Sequence, residues 1–270
     1  MTAEVVRDYY NSQTAAEWSR LDRHPVEFAI TKRLLERWIA RPRSRILDVG
    51  GGPGRYSLWL ASLGHDVTLV DLAEENVALA RRKADELGVR IRGFHAADAR
   101  RLSSLGLGSF DCVLLMGPMY HLLEEGERAK AVEEALGRLE PGGLLFAAFI
   151  SSYSPLIDAL AKDPTWILEK KADFLGYLDD GRNVEAEDGV GFTDAYFAKP
   201  GEIRPFMATF GLEELGLYNA ESVLFPYERS LVEKGGKTLE ACVEIAMRFV
   251  EDEACRGMCA HFLYAGRKPR

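Results

Sequence analysis

The 270-residue chain has the length of one large domain, or of one domain with a modest lid. Hydrophobic residues at 47% and charged residues at 28% exclude wholesale disorder, and no apolar run approaches the roughly 20 residues of a membrane span. Against 34 Lys and Arg stand 42 Asp and Glu, a formal charge of −8, which weighs against nucleic acid because phosphate binding wants a basic face.

The N-terminal stretch MTAEVVRDYYNSQTAAEW carries charges and no apolar core, so it does not read as a secretory signal. Val26, Ile30, Leu34 and Trp38 step by four and predict a helix that stops near Pro42. Ile46–Val49 is a short apolar strand. Tyr56, Trp59, Leu60 and Leu63 form a helical stripe ended by Gly64. A second strand, Val67–Val70, precedes a helix marked by Val77, Ala80, Ala84 and Leu87 and stopped by Gly88. Strands follow near Arg90–Ala96 and at Phe110–Met116. Val132, Leu136 and Leu139 mark another helix, and Leu144–Ile150 is the fifth strand. Helix-like pieces at Pro155–Ala161 and Trp166–Leu178 break the alternation, followed by an acidic loop near 179–189. A helix through Ile203–Phe210, a strand within Leu212–Val223, a helix from Leu239 to Val250 and a strand at His261–Ala265 close the order.

Apolar strands separated by amphipathic helices predict a parallel sheet covered on both faces, and right-handed crossovers make it doubly wound and Rossmann-like. The expected organisation is an N-terminal helical arm over 1–43, a core over 44–150, a lid or substrate insertion over 151–199 and the rest of the core over 200–270. Ligands of such sheets sit at the carboxyl ends of the strands, so the residues just after each strand carry the chemistry. Cys112, Cys242, Cys255 and Cys259 are too few for a disulfide scaffold and suit a reducing cytoplasm. Cys255, Cys259 and His261 are spaced C-x₃-C-x-H, but without a second ligand pair they read as incidental thiols, and no metal is expected.

The first strand runs through Asp48 into Gly50, Gly51, Gly52, Pro53 and Gly54 and opens a helix. A dinucleotide fingerprint needs G-x-G-x-x-G. From Gly50 its third glycine would fall on Arg55, and from Gly52 on Ser57. D-x-G-x-G-x-G fits instead. A strand-end acid such as Asp48 would repel a pyrophosphate but can accept from an amino acid's ammonium. Asp71, ending the second strand, can accept ribose hydroxyls, and Asp98 after the third can accept from an adenine amino group. Three acids after three successive strands lie on the ligand edge.

These segments, with ILDVGGGPG at 46–54, VTLVD at 67–71, HAADA at 95–99, FDCVLLMGPMYHL at 110–122 and LEPGGLLFAAFI at 139–150, resemble the class I S-adenosylmethionine-dependent methyltransferases. The resemblance implies a seven-stranded, mostly parallel sheet with a reversed last hairpin. It implies that Gly50, Gly51, Gly52 and Gly54 wrap the methionine part of S-adenosylmethionine, that Asp71 with Leu72 holds the ribose and Asp98 with Ala99 the adenine, and that Met116 and Gly117 lie beside the cofactor. Gly117-Pro118-Met119-Tyr120-His121-Leu122, with Phe192–Phe197, looks like a bacterial subgroup acting on small molecules.

Methyl transfer asks the protein to position an acceptor, exclude water and, for a hydroxyl or amine, remove a proton. His121 is the first candidate base. Tyr120, Tyr153, Asp194 and Tyr196 are pocket candidates. Tyr10 or Arg20 of the arm is placed to meet the cofactor carboxylate. The competing readings are a nucleotide-dependent oxidoreductase, a cofactor-binding protein without methyl transfer, and a protein or RNA methyltransferase. The missing third glycine counts against the first and the acidic charge against the last.

Overall fold

The computed structural model describes residues 2–184 and 192–270. Three helices lead: α1 (Thr2–Trp18), α2 (Arg20–Arg23) and α3 (Pro25–Trp38). The alternation follows as β1 (Arg45–Val49), α4 (Arg55–Ser62), β2 (Asp66–Asp71), α5 (Glu74–Leu87), β3 (Gly93–Ala96), β4 (Phe110–Leu115), α6 (Glu125–Arg138) and β5 (Leu139–Ser151). Next come α7 (Ser154–Lys162), α8 (Trp166–Glu169), α9 (Lys171–Asp179), β6 (Arg182–Asn183) and β7 (Ala195–Ala198). The chain ends through α10 (Ile203–Ala208), β8 (Glu213–Asn219), α11 (Glu228–Lys234), α12 (Gly236–Ala246) and β9 (His261–Arg267).

The pleat explains the layering. Side chains alternate along each strand, so Leu47, Val113, Leu115 and Leu145 face α6 and α10. Their neighbours Ile46, Cys112, Leu114 and Phe146 face α3 and α12. Both faces are apolar, so the strands read as continuous hydrophobic runs. The described residues form one sheet in the order β3-β2-β1-β4-β5-β7-β6, with β9 antiparallel between β5 and β8. β1, β2, β3, β4 and β5 run parallel and end on one edge.

The sheet has nine strands, where seven were expected. The two extra come from the insertion, whose β7 pairs with the last residues of β5 through Ile150↔Phe197 and Ser151↔Ala198. The strand expected within 212–223 stops at Asn219, and Ser222–Tyr227 forms a 3₁₀ turn. Helix α11 had no counterpart in the sequence reading. Most of the acidic loop, residues 185–191, lies outside the described residues.

Candidate functional site

The loop after β1 passes under a cleft at the carboxyl edge of the sheet. Gly50 has φ +71°, and a Cβ there would lie 2.5 Å from Pro118 Cδ. A Cβ on Gly117 would lie 2.7 Å from the Gly50 carbonyl oxygen. The loops after β1 and β4 therefore meet backbone to backbone, which only glycine permits. Gly54 serves differently. It caps α4 and packs against Ala80 of α5, so it shapes the turn without lining the cleft.

The cleft encloses about 740 Å³, open mouth included, and its walls come from α1, the β1 loop and the residues after β2, β3 and β4. Gly50, Gly52, Asp71, Leu72, Asp98, Ala99, Gly117, Tyr120, His121 and Tyr10 all line it. Gly51, Asp48, Met116 and Arg20 line an adjoining cavity on the other side of the glycine loop.

Asp71 is buried, and desolvation raises its carboxyl against three donors: the Gly52 N–H at 2.7 Å, the Ala73 N–H at 2.9 Å and the Asn76 amide at 3.3 Å. It is thus a brace for the loop as well as a wall of the cleft. The carbonyl oxygen of Asn76 is buried with no hydrogen-bond partner in the same wall, a residue the sequence did not single out. Asp98 caps the turn after β3, accepting from Arg100 N–H at 2.8 Å. Burial would raise it, but the hydrogen bonds and charge of Arg100 hold it below the usual range. Asp48 lies under the loop, accepts from Ser57 Oγ at 2.7 Å, and is pushed up to about 6 by burial.

Helix α1 roofs the cleft. Arg55 holds its end by donating to the Trp18 carbonyl at 2.8 Å and to Asp22 at 2.7 Å. Tyr10 Oη stands 2.7 Å from His121 Nε2, and His121 Nδ1 stands 3.0 Å from the Asp194 carbonyl oxygen. A carbonyl can only accept, so Nδ1 carries the hydrogen and Tyr10 donates to Nε2. His121 is buried, which depresses its pKa to about 4. Both nitrogens are engaged, and the ring is a weak base joining the arm to the insertion.

The other sequence candidates fall in different places. Tyr196 faces away from the cleft, under Arg128 at 3.6 Å and hydrogen-bonded to Glu202. Strand alternation puts its neighbour Phe197, rather than Tyr196, in the aromatic cavity. Tyr153 is 39% exposed at the start of α7 and lines none of these cavities. Asp194 contributes its backbone carbonyl to His121. Arg20 is occupied: it donates to Glu17 at 3.1 Å and to both oxygens of Glu27 at 2.7 and 3.3 Å. Cys259 is buried and donates to the His261 carbonyl, while Cys255 sits in a separate 3₁₀ turn.

The fold is Rossmann-like, and the cleft lies at the carboxyl edge of its sheet, where such sheets bind ligands. Residues 46–143 match the sequence profile of the family described as "Methyltransferase domain". The ubiquinone biosynthesis O-methyltransferase of Caulobacter sp. strain K31 is 38% identical over 107 residues, which are 40% of this chain and 41% of that protein. A methyltransferase structure from Methanosarcina mazei, S-adenosylmethionine-dependent by its description, superposes with TM-score 0.60 at 18% identity, covering 87% of this chain and 97% of that one. The Burkholderia thailandensis 1,6-didemethyltoxoflavin-N1-methyltransferase superposes with TM-score 0.58 at 16% identity, covering 99% of this chain and 89% of that one. The chain spans about 40% to 50% of the length of the curated relatives it matches. Residues 46–143 are thus similar to a methyltransferase domain, set within a Rossmann-like fold.

Proposed function

We propose that the protein binds S-adenosylmethionine in the cleft beneath α1 and transfers its methyl group to a small molecule. The observation that supports this most is the convergence of the glycine loop, Asp71, Asn76, Asp98 and the α1 roof on one cleft, with a second, aromatic cavity adjoining it. The residues present fit the cofactor. The loop gives backbone where a side chain would collide. The partnerless Asn76 oxygen and Asp71 offer acceptors for ribose hydroxyls. Leu72, Ala99 and Leu122 offer an apolar slot for the adenine. Bound, the cofactor supplies a methyl group on a positively charged sulfur. Tyr120 and Glu17 line both this cleft and the aromatic cavity, so they stand where acceptor and methyl donor would meet. Helix α1 and its Tyr10–His121 bond cover the cleft and exclude water.

The relatives named O-methyltransferases favour oxygen as the acceptor atom. The acidic surface favours a small molecule over nucleic acid. No helix among the described residues is long and apolar enough to cross a membrane. Calorimetry with S-adenosylmethionine and S-adenosylhomocysteine tests the reading: micromolar affinity, about −8 kcal/mol, is expected for each. No heat and no thermal stabilisation with either would overturn it.

A further inference from the structure

On the far side of Tyr120 lies a charged network that the methyl-donor cleft does not use. His261 opens β9, directly opposite Ile150 of β5, and so stands at the same sheet edge as the glycine loop. Its Nδ1 is hydrogen-bonded to Glu221 Oε1, and its own backbone N–H donates to Glu221 Oε2 at 2.8 Å. Glu221 is 2% exposed, so this carboxylate is fixed from two sides. Glu27 Oε2 lies 3.9 Å from the same ring nitrogen and is itself clamped by Arg20. The Cys259 thiol, 3.4 Å from Glu221, completes the surroundings.

The geometry settles which nitrogen is available. Glu221 accepts the Nδ1 hydrogen, leaving Nε2 as the site that gains or loses a proton. No described residue bonds Nε2. His261 lines both the cavity under the glycine loop and the neighbouring aromatic one, and Glu17, Arg20 and Tyr120 are the other residues common to the two. The aromatic cavity is walled by Tyr9, Tyr10, Phe192, Phe197 and Phe225. Phe192 and Phe197 are near-parallel, with ring centroids 6.5 Å apart and 15° between planes, and with Tyr9 against Phe192 they give the cavity aromatic faces on which a flat ring can stack.

We propose that His261, oriented by Glu221, is the residue that takes the proton from the methyl acceptor, and that the acceptor is an aromatic ring bearing an ionisable hydroxyl. This rests on the methyl-transfer reading above and assigns the acceptor side of it. The hydroxyl proton passes to Nε2. The freed oxygen lone pair forms the new O–CH₃ bond, and the electron pair of the breaking S–CH₃ bond stays on sulfur. The imidazolium then gives its proton to water. The surroundings suit that task. Burial lowers the basicity of His261, but the charges of Glu221 and Glu27 outweigh it, against the opposing charge of Arg20, and raise its pKa to about 9. A phenol ionises near 10, so base and acid are closely matched. His121, held near 4, is not.

The test uses 4-nitrophenol, whose ionised form is coloured, with the full chain in the presence of saturating S-adenosylhomocysteine. Bound to the wild type, the probe should ionise more readily than in water, by about tenfold in the ratio of ionised to neutral form, equivalent to one pKa unit. In His261→Gln the bound probe should lose that gain, while nitrobenzene binding and S-adenosylhomocysteine affinity stay unchanged. Glu221→Gln keeps the ring but weakens its basicity, so it should show an intermediate gain; it also guards against a misfolded His261 variant. With an accepted phenol as substrate, kcat/KM of the wild type should rise with pH towards a plateau near 9, and this limb should shift downward in Glu221→Gln. Failure of 4-nitrophenol to bind, binding with no ionisation gain, or a gain retained in His261→Gln would each overturn the proposal. Loss of S-adenosylhomocysteine binding in the wild type would instead strike at the methyl-transfer reading, and it is measured separately.

Discussion

His121 and His261 are linked to protons in opposite senses, and stability should report both. His121 has a folded pKa depressed to about 4 from 6.5. Its stabilising effect is therefore complete above 6.5 and is lost as pH falls towards 4. His261 has a folded pKa raised from 6.5 to about 9, so its contribution is complete below 6.5 and is lost as pH climbs through 9. Urea denaturation should show His121→Gln costing more at pH 7 than at pH 4.5, and His261→Gln costing more at pH 6 than at pH 9.5. A cost that does not vary with pH for either would contradict the assigned environments. Asp71 makes a different case. Removing it strands the Gly52 and Ala73 N–H groups and the Asn76 amide, so Asp71→Ala should weaken S-adenosylhomocysteine binding about tenfold to a hundredfold and also cost on the order of 1–3 kcal/mol of stability. Normal binding by the variant would mean that the ribose is held elsewhere, by Asn76 first.

At the scale of elements, α1 packs on α5 and bonds His121 through Tyr10, and Arg55 holds its C-terminal end. Arg55 bonds its last turn and stacks 5.1 Å from the Trp18 ring, and Asn11 accepts from Glu75 N–H at the start of α5. Arg55→Ala should leave the sheet intact, speed amide exchange in residues 2–18 and weaken cofactor binding several-fold, since exchange follows local opening. Unchanged exchange in α1 would show that its other contacts, the burial of Val6 and the Tyr10–His121 bond, suffice alone. The insertion is more loosely attached. Neither α8 nor α9 has a buried residue, and Leu168 is 84% exposed. Hydrogen exchange in 154–179 should slow when cofactor and acceptor are both present; equal rates would make this segment a static wall. These elements also mark what the sequence could tell. β1, β2, β4 and β5 were legible because burial on both faces leaves uninterrupted apolar runs. β7 was not, because Ala195–Ala198 is four residues long and its pairing depends on how far β5 extends past β4. Tyr196 was misplaced for a related reason: without knowing the strand, its alternation could not be assigned a face.

The whole molecule should respond to its cofactor as one unit. Ligand at a hundred times its dissociation constant adds about 2.7 kcal/mol, which for a chain of this size is a rise of about 5–10 °C in Tm. A shift confined to one of two transitions would show that arm and sheet unfold separately. The residues proposed to hold the cofactor could be picked from the sequence because they follow successive strands within one stretch, 46–122. The proposed acceptor site could not. Glu27, Glu221 and His261 come from α3, the turn after β8 and β9, and only the closed sheet brings them together. The nearest hint was the C-x₃-C-x-H run, whose histidine is the residue proposed to take the proton. The contact between Gly50 and the Gly117-Pro118 pair extends further than the site. It makes two distant positions a single inherited unit. A lineage cannot place a side chain at 50 while the later loop stays where it is, nor enlarge 117 while the earlier loop stays. Divergence among descendants of this chain must therefore pass through paired changes at these positions, with the later loop retreating before the earlier glycine can be replaced.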